Sequence, residues 1–442
     1  SGNDVSYPNA EVEPFVAVNP TDPDNVVGVF QQDRWQGGGA RGLVAAYSND
    51  GGQSWDESLA GFDQCAEPTS QLTRASDPWV SFDAGGRAYQ SGLVLSSDGV
   101  VSGVVVSTST DGGANWDAPK SLILDDATSP NFNDKPSITG DPTRVGYAYA
   151  TWDRLNLPDK KLQSQFHTID HAFAGRTMVS RTTDGGAHWS TPTALFTKSS
   201  NVSTLANQIA VLPDGSLVDI FLDYRASGLQ PSAGGYYTDA SISHDAGLTW
   251  SDPIHIAAQQ KLGVDVDPDT GQGLRVGDGF PDVAVDPHNG KLYVVWTDRD
   301  NSTGSQARVR LSSSTNGGRT WSNPASVNQT PIGDAAFTPS AVVSSDGTIS
   351  VDYYDFRTNT PGPGLPTDLW LASSHDGGTT WSEQKVYGPF DLQAAPQSSG
   401  LFLGDYSGLT ETGQDILAFF TRSNSSGPDN RTDIVAVLVT PN

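Results

Sequence analysis

The sequence predicts an all-β chain folded as a ring of repeated four-stranded antiparallel sheets, a seven-bladed β-propeller, with six blades as the alternative. Three observations carry that expectation. Helical periodicity is almost absent, and short alternating segments such as GVVVSTS, RVRLSSS and DIVAVLV recur between Gly, Asp-Gly and Pro. One turn is written six times: SNDGGQSW at 48, STDGGANW at 109, TTDGGAHW at 182, SHDAGLTW at 243, STNGGRTW at 314 and SHDGGTTW at 374. A strand start recurs at EPFVAVNP (13), DPWVSFDA (77), KPSITGDP (135), NQIAVLPD (207), FPDVAVDP (280), TPSAVVSS (338) and, weakly, LGDYSGLT (403).

Each element has a local reason. In the turns, Asp bonds backbone amides two residues on, Gly takes the positive-φ position, and Trp plugs the corner into its neighbour. A second strand follows most of the strand starts, as in NVVGVFQQDRW, VGYAYATWDR, SLVDIFLDYR, KLYVVWTDRD, TISVDYYDFR and DILAFFTR. Seven such starts against six Trp turns leave the last unit one strand short. The segment NDVSYP near the N-terminus is expected to supply that strand and close the ring, so that residues 1–442 form one domain.

Composition excludes several function classes. A net charge of −26 argues against nucleic acid and anionic membranes as partners. With 17% charged residues and no apolar run long enough to span a bilayer, the chain reads as a soluble monomer. A single cysteine, Cys65, excludes internal disulfides and Cys-based zinc sites. The chain opens at Ser1 rather than Met, which together with the scarcity of thiols suggests a secreted or cell-surface protein whose leader has been removed.

The six turns resemble the Asp-boxes, or BNR repeats, of the sialidase superfamily: Asp50, Asp111, Asp184, Asp245 and Asp376 hold the signature position and Asn316 replaces it once. The resemblance covers nearly the whole chain. It implies a propeller with the turns bracing one face, and it leaves the activity open, since such propellers include sialidases, xyloglucan hydrolases, lyases and non-catalytic proteins. Sialidases use a Tyr nucleophile polarised by Glu, an arginine triad and an Asp acid. Here Glu is confined to Glu11, Glu13, Glu57, Glu67, Glu383 and Glu411, so a two-Asp hydrolysis suits the acids present better.

If the turns join strands three and four, the opposite face holds the ends of second strands and the starts of first strands. Second strands end in Arg34, Arg154, Arg225, Arg299, Arg357 and Arg422, which reads as a ring of forks for an acidic glycan or as internal partners of each unit's own acids. First strands begin at Glu13, Asp77, Asp134 with Lys135, Asn207 with Gln208, and Asp278. Glu13, Asp77 and Asp134 are the candidate acid–base residues; Lys135 and Asn207 join the arginines as substrate contacts, and Tyr354, with Tyr224, Tyr353 and Trp35, as sugar-stacking surfaces. Asp265, Asp267 and Asp269 alternate as in a calcium loop but lack its Gly and final acid, so a structural calcium and an acidic surface turn both remain open; no other cofactor is expected. His167 and His171 stand at helical spacing inside an insertion at 155–177.

The leading expectation is a glycoside hydrolase acting on an acidic or branched glycan. A glycan- or protein-binding propeller and a polysaccharide lyase acting on a uronate are the alternatives. A mouth filled by internal Arg–Asp pairs would favour binding over hydrolysis.

Overall fold

The computed structural model describes residues 4–62, 72–126, 128–156, 174–196, 202–227, 230–260, 264, 266–277, 279–300, 306–425 and 427–442. Cys65, Asp265, Asp278, His167 and His171 lie outside them. The chain is nearly all β, in antiparallel sheets that follow one another along the sequence. The first unit holds strands Glu11–Asn19, Asp22–Arg34, Ala40–Ser48 and Asp56–Ser58. Four-stranded units follow over 72–125, 131–194, 202–259, 282–326 and 336–391, and a three-stranded unit over 408–439. One pair, Ala40 with Ala75, joins the first two units into an eight-stranded sheet. The first strand of each unit packs beside the first strand of the next, and that of the last unit returns to that of the first.

The Trp-ended turns join the third and fourth strands of six units. In the first, Ser48 Oγ donates to Asp50 Oδ1 (2.7 Å) and accepts from Gly52 N (2.9 Å), while Asp50 Oδ1 accepts from Ser54 N (2.9 Å) and Trp55 Nε1 donates to Gly52 O (3.0 Å). Asn316 reproduces the pattern, with Oδ1 accepting from Thr320 N and Nδ2 donating to Thr320 Oγ1. Gly51 N donates to Asp24 O (2.8 Å), beside the connection between strands one and two. The turns therefore mark the end of each sheet opposite the first strands' starts.

Those starts share a distortion that strand alternation alone does not announce. Glu13, Asp77, Lys135 and Thr338 have φ of 55°, 51°, 46° and 50°, each precedes a proline, and each sits at a slip in register with the second strand. Ala206 (φ 54°) does the same before Asn207. Proline has no N–H for the ladder and is tolerated in a strand at an edge or a bulge; these strands offer a bulge, which re-aims the preceding side chain. Left-handed backbone at non-glycine residues costs about 1–3 kcal/mol each, and here it recurs at the same place in five units.

The expected closing strand is not formed by the described N-terminal residues. Ser6 bridges Trp35, Tyr7 N donates to Arg34 O (2.8 Å), and Asp4 accepts from Gly37 N (2.8 Å) and Arg74 Nη2 (2.5 Å). Asp4 is drawn to the Arg74 guanidinium over the first two units, so the segment caps the end of the second strand rather than the last unit's edge. The last unit seats on the first through its faces: Phe419 fills the space left by Gly28, and Leu417 and Phe419 pack with Val16, Val26 and Phe30.

Candidate active site

The re-aimed residues of the first three units converge. Lys135 Nζ donates to Asp405 Oδ2 (2.5 Å), Asp77 Oδ1 (2.7 Å) and Glu13 Oε1 (3.2 Å), so its three protons meet three carboxylates, and all four side chains are buried. Asp405 also receives both nitrogens of an Arg275 fork. Arg275 arrives through a short parallel ladder, Leu274–Arg275 against Leu401–Phe402, that ties the approach to the fifth unit to the approach to the last. Gln31 Nε2 donates to Glu13 and to Ser76 Oγ, and Gln31 Oε1 accepts from Arg34 Nη1 (2.6 Å). Arg34 and Arg275 both lie over the Phe402 ring, at 4.7 and 4.5 Å from its centroid.

The electrostatics divide the acids. Burial pushes the Glu13 carboxyl up to about 7, against the pull of Lys135. Asp405 is also buried, yet Arg275 and Lys135 hold it well below the usual carboxylate range. Asp134, half-buried beside them, is pushed up to about 6 by burial and then by the Asp77 charge, with Lys135 and Arg275 opposing. Its Oδ1 accepts from Lys135 N (3.0 Å). A pocket opens over this cluster, walled by Trp79, Phe280 and Tyr406 and floored by Lys135 and Asp405. Phe15 stacks on Trp79 at 3.6 Å, which fixes that wall. Aromatic faces beside acids with separated proton affinities are the materials of sugar chemistry.

No family model and no curated protein matches the chain. Solved structures do. A Hadza microbial sialidase superposes with a TM-score of 0.52 at 17% identity, over 94% of this chain and 74% of its own. An α-L-arabinofuranosidase of Fusarium graminearum (0.50, 14%, 99% and 96%) and an α-L-arabinanase of Penicillium chrysogenum (0.50, 12%, 99% and 97%) do likewise. The fold is a sialidase-like propeller. Identity this low speaks for the fold alone.

Within the propeller, the sequence-derived candidates separate into two groups. Glu13, Asp77, Asp134 and Lys135 come together. Asn207 lines the same pocket but is fully buried, its Nδ2 donating to Asp153 Oδ1 (2.7 Å). Of the arginines, Arg34 alone has a described contact with this cluster. Arg154 forks onto Asp125 of the preceding unit (2.9 and 2.6 Å), and Arg422 pairs with Asp433 (2.9 Å). Arg357 is held by Asp355, by Glu383 Oε2 (2.9 Å) and by the Trp370 face at 3.7 Å. Arg299 ends its strand half-buried, and Arg225 ends its own with its side chain outside the described residues. Arg154, Arg357 and Arg422 thus serve contacts between neighbouring strands and units.

The stacking tyrosines are corrected in the same way. Tyr354 is buried between the last two units, where its hydroxyl donates to Thr421 O (2.8 Å), and Tyr224 is buried too. Tyr353 donates to Glu383 from a buried position, and Trp35 carries the Arg74 guanidinium at 5.1 Å. Sequence alternation places these rings on strands but not on one side of a sheet. Asp267 is buried and accepts from Asp269 N and Gln393 Nε2, both at 2.8 Å, while Asp269 Oδ2 accepts from Asn359 (3.0 Å). Their oxygens build a turn and tie it to neighbouring loops instead of pointing to one centre. Asp405 and Arg275 were missed: the first sits in the weakest of the strand starts, and the second lies outside the repeat altogether.

Proposed function

We propose that the chain is a secreted, seven-bladed Asp-box propeller acting as a glycoside hydrolase at the axial mouth, with Asp134 as proton donor and Asp77 as the partner carboxylate. The observation that carries this reading is the placement of a half-buried Asp134 beside the buried Asp77–Lys135 ion pair, whose lysine lines a pocket together with Trp79, Phe280 and Tyr406. A carboxyl that keeps its proton to about pH 6 can protonate a leaving oxygen, while Asp77, held by Lys135 Nζ at 2.7 Å, is positioned for the opposite task. Lys135, Arg275 and Arg34 already face acids or their hydrogen-bond partners, which favours a neutral branched glycan over the acidic one that an open arginine ring would take. Neutral and anionic glycans offered in parallel, with product masses read out, test the substrate class. Asp134→Asn and Asp77→Asn are expected to lower turnover about 10²-fold or more, Asp134→Asn with a melting temperature near that of the native chain and Asp77→Asn, which removes a buried partner of Lys135, with a lowered one. Full activity in both variants on a confirmed substrate removes the assignment.

A second reading, a glycan-binding propeller without turnover, is favoured by the saturation of Lys135 by three carboxylates. Binding of a glycan by the intact protein with no product formed selects it.

A further inference from the structure

Among the described residues the last unit has three strands where each of the other six has four, so its third strand is its edge. In three of the other units the outermost strand is only two or three residues long, Asp56–Ser58, Thr193–Ala194 and Ala325–Ser326. Here it is Thr432–Val439, TDIVAVLV, paired on one side only among the described residues. Its direction is fixed by two contacts. Thr421, opposite Ile434, exchanges hydrogen bonds with the Tyr354 hydroxyl, and Ile434 N donates to Glu11 Oε2 (2.8 Å). Ile434, Ala436 and Leu438 therefore turn their N–H and C=O groups away from the sheet. Glu11 satisfies the first of these amides, and those of Ala436 and Leu438 face the open side.

We propose that this edge receives a fourth strand from a partner: an extended peptide segment of alternating small or β-branched residues with lysines or arginines at its ends. The backbone row supplies affinity without sequence demand, as in strand addition generally. The ends supply the choice of partner. Glu11 and the exposed Glu57 stand where the strand begins, beside an Asp433 already paired with Arg422 (2.9 Å), and Asp415 stands where it ends, its carboxylate accepting from Thr440 Oγ1 (2.5 Å). A second copy pairing antiparallel would set the acids at one end of its strand against those at the other end of this one, between molecules each carrying −26, so self-pairing is disfavoured. The acids protect the edge from indiscriminate pairing and admit a basic strand.

The test is hydrogen exchange on the intact protein with a synthetic peptide of alternating valine and threonine carrying paired lysines at each end, and with its glutamate-ended counterpart. The lysine-ended peptide is expected to slow exchange of the Ala436 and Leu438 amides at least about tenfold, with the effect fading in high salt. The glutamate-ended peptide is expected to leave both unchanged. Leu438→Pro removes an outward N–H while sparing the bonds to the neighbouring strand, and is expected to abolish the protection at Ala436 without lowering the melting temperature by more than a few degrees. Three results overturn the proposal: no slowing with either peptide, equal slowing with both, or protection of these amides without peptide together with a concentration-dependent dimer in sedimentation. Because the native chain is read directly, the two peptides decide the matter even where the Leu438→Pro variant fails to fold.

Discussion

Lys135 and Asp405 stand 270 positions apart in the chain and meet at 2.5 Å, with Glu13 and Asp77 completing the contact. One ammonium thus joins the first, second and third units to the approach of the last. Replacing Lys135 by Met leaves three carboxylates in a buried space without their counter-charge, and a loss of about 3–5 kcal/mol is expected in chemical denaturation. Adding Glu13→Gln to that variant is expected to recover part of the loss. A Lys135→Met protein within about 1 kcal/mol of the native one would mean that the ammonium has no structural part.

Glu13 makes stability depend on pH in a defined direction. Its carboxyl keeps a proton to about 7 in the folded protein and releases it near the ordinary value of 4.5 when unfolded. The folded state therefore holds the extra proton between those values. Its contribution is complete below pH 4.5 and is lost as pH rises through 7. Melting temperatures between pH 5 and 8 are expected to fall with rising pH, less steeply in Glu13→Gln. Some slope remains in that variant, because Asp134 and Asp282, both raised to about 6, act in the same sense. Asp405, shifted the other way, loses its contribution only in strong acid. Equal slopes in both proteins would remove Glu13 from the account.

The seam between the last and first units is testable at Gly28. A methyl group there would stand inside the van der Waals radius of the buried Phe419 ring. Gly28→Ala is expected to destabilise by about 1–3 kcal/mol. Phe419→Leu, destabilising by itself, is expected to recover part of that loss when combined with it. Additive losses would show that the two positions do not share the space.

The Trp turns should behave as braces. Asp111 accepts from Asn115 N (2.9 Å), Asn115 Nδ2 (2.7 Å) and Ser109 Oγ (2.8 Å), and Trp116 Nε1 donates to Ser58 Oγ of the first unit (3.0 Å). Asp111→Ala is expected to cost about 1–3 kcal/mol. Trp116 is half-buried, so its removal is expected to cost about 2–3 kcal/mol, less than a fully enclosed ring. Neither change should alter glycan binding or turnover by the folded fraction, and a loss of either without a loss of stability would place function on this face.

Legibility in the sequence followed range of interaction. The turns were readable because each closes its own hydrogen bonds within eight residues, and Asn316 could be placed among them for the same reason. Glu13, Asp77 and Lys135 were readable because each precedes a proline at the same point of the repeat. The sequence left the arginines open between a shared ring and internal pairing, because the partner that decides Arg154 or Arg357 lies on another strand or unit, Asp125 and Glu383. Tyr354 was misread because the side of the strand it occupies faces the last unit, a matter of packing between sheets that no single strand declares. Arg275 carried no signal, since a two-residue parallel ladder far from any repeat delivers it.

The proline bulge has an evolutionary consequence. Because the residue before each proline is already withdrawn from the ladder, its side chain can be exchanged without rewriting the sheet. The chain holds Glu13, Asp77, Lys135, Ala206 and Thr338 at five copies of one backbone shape: two acids, a base, a methyl and a hydroxyl. A lineage of such molecules could therefore assort new chemistries around the axis at these positions, limited by the side chains that meet there and not by the ladder.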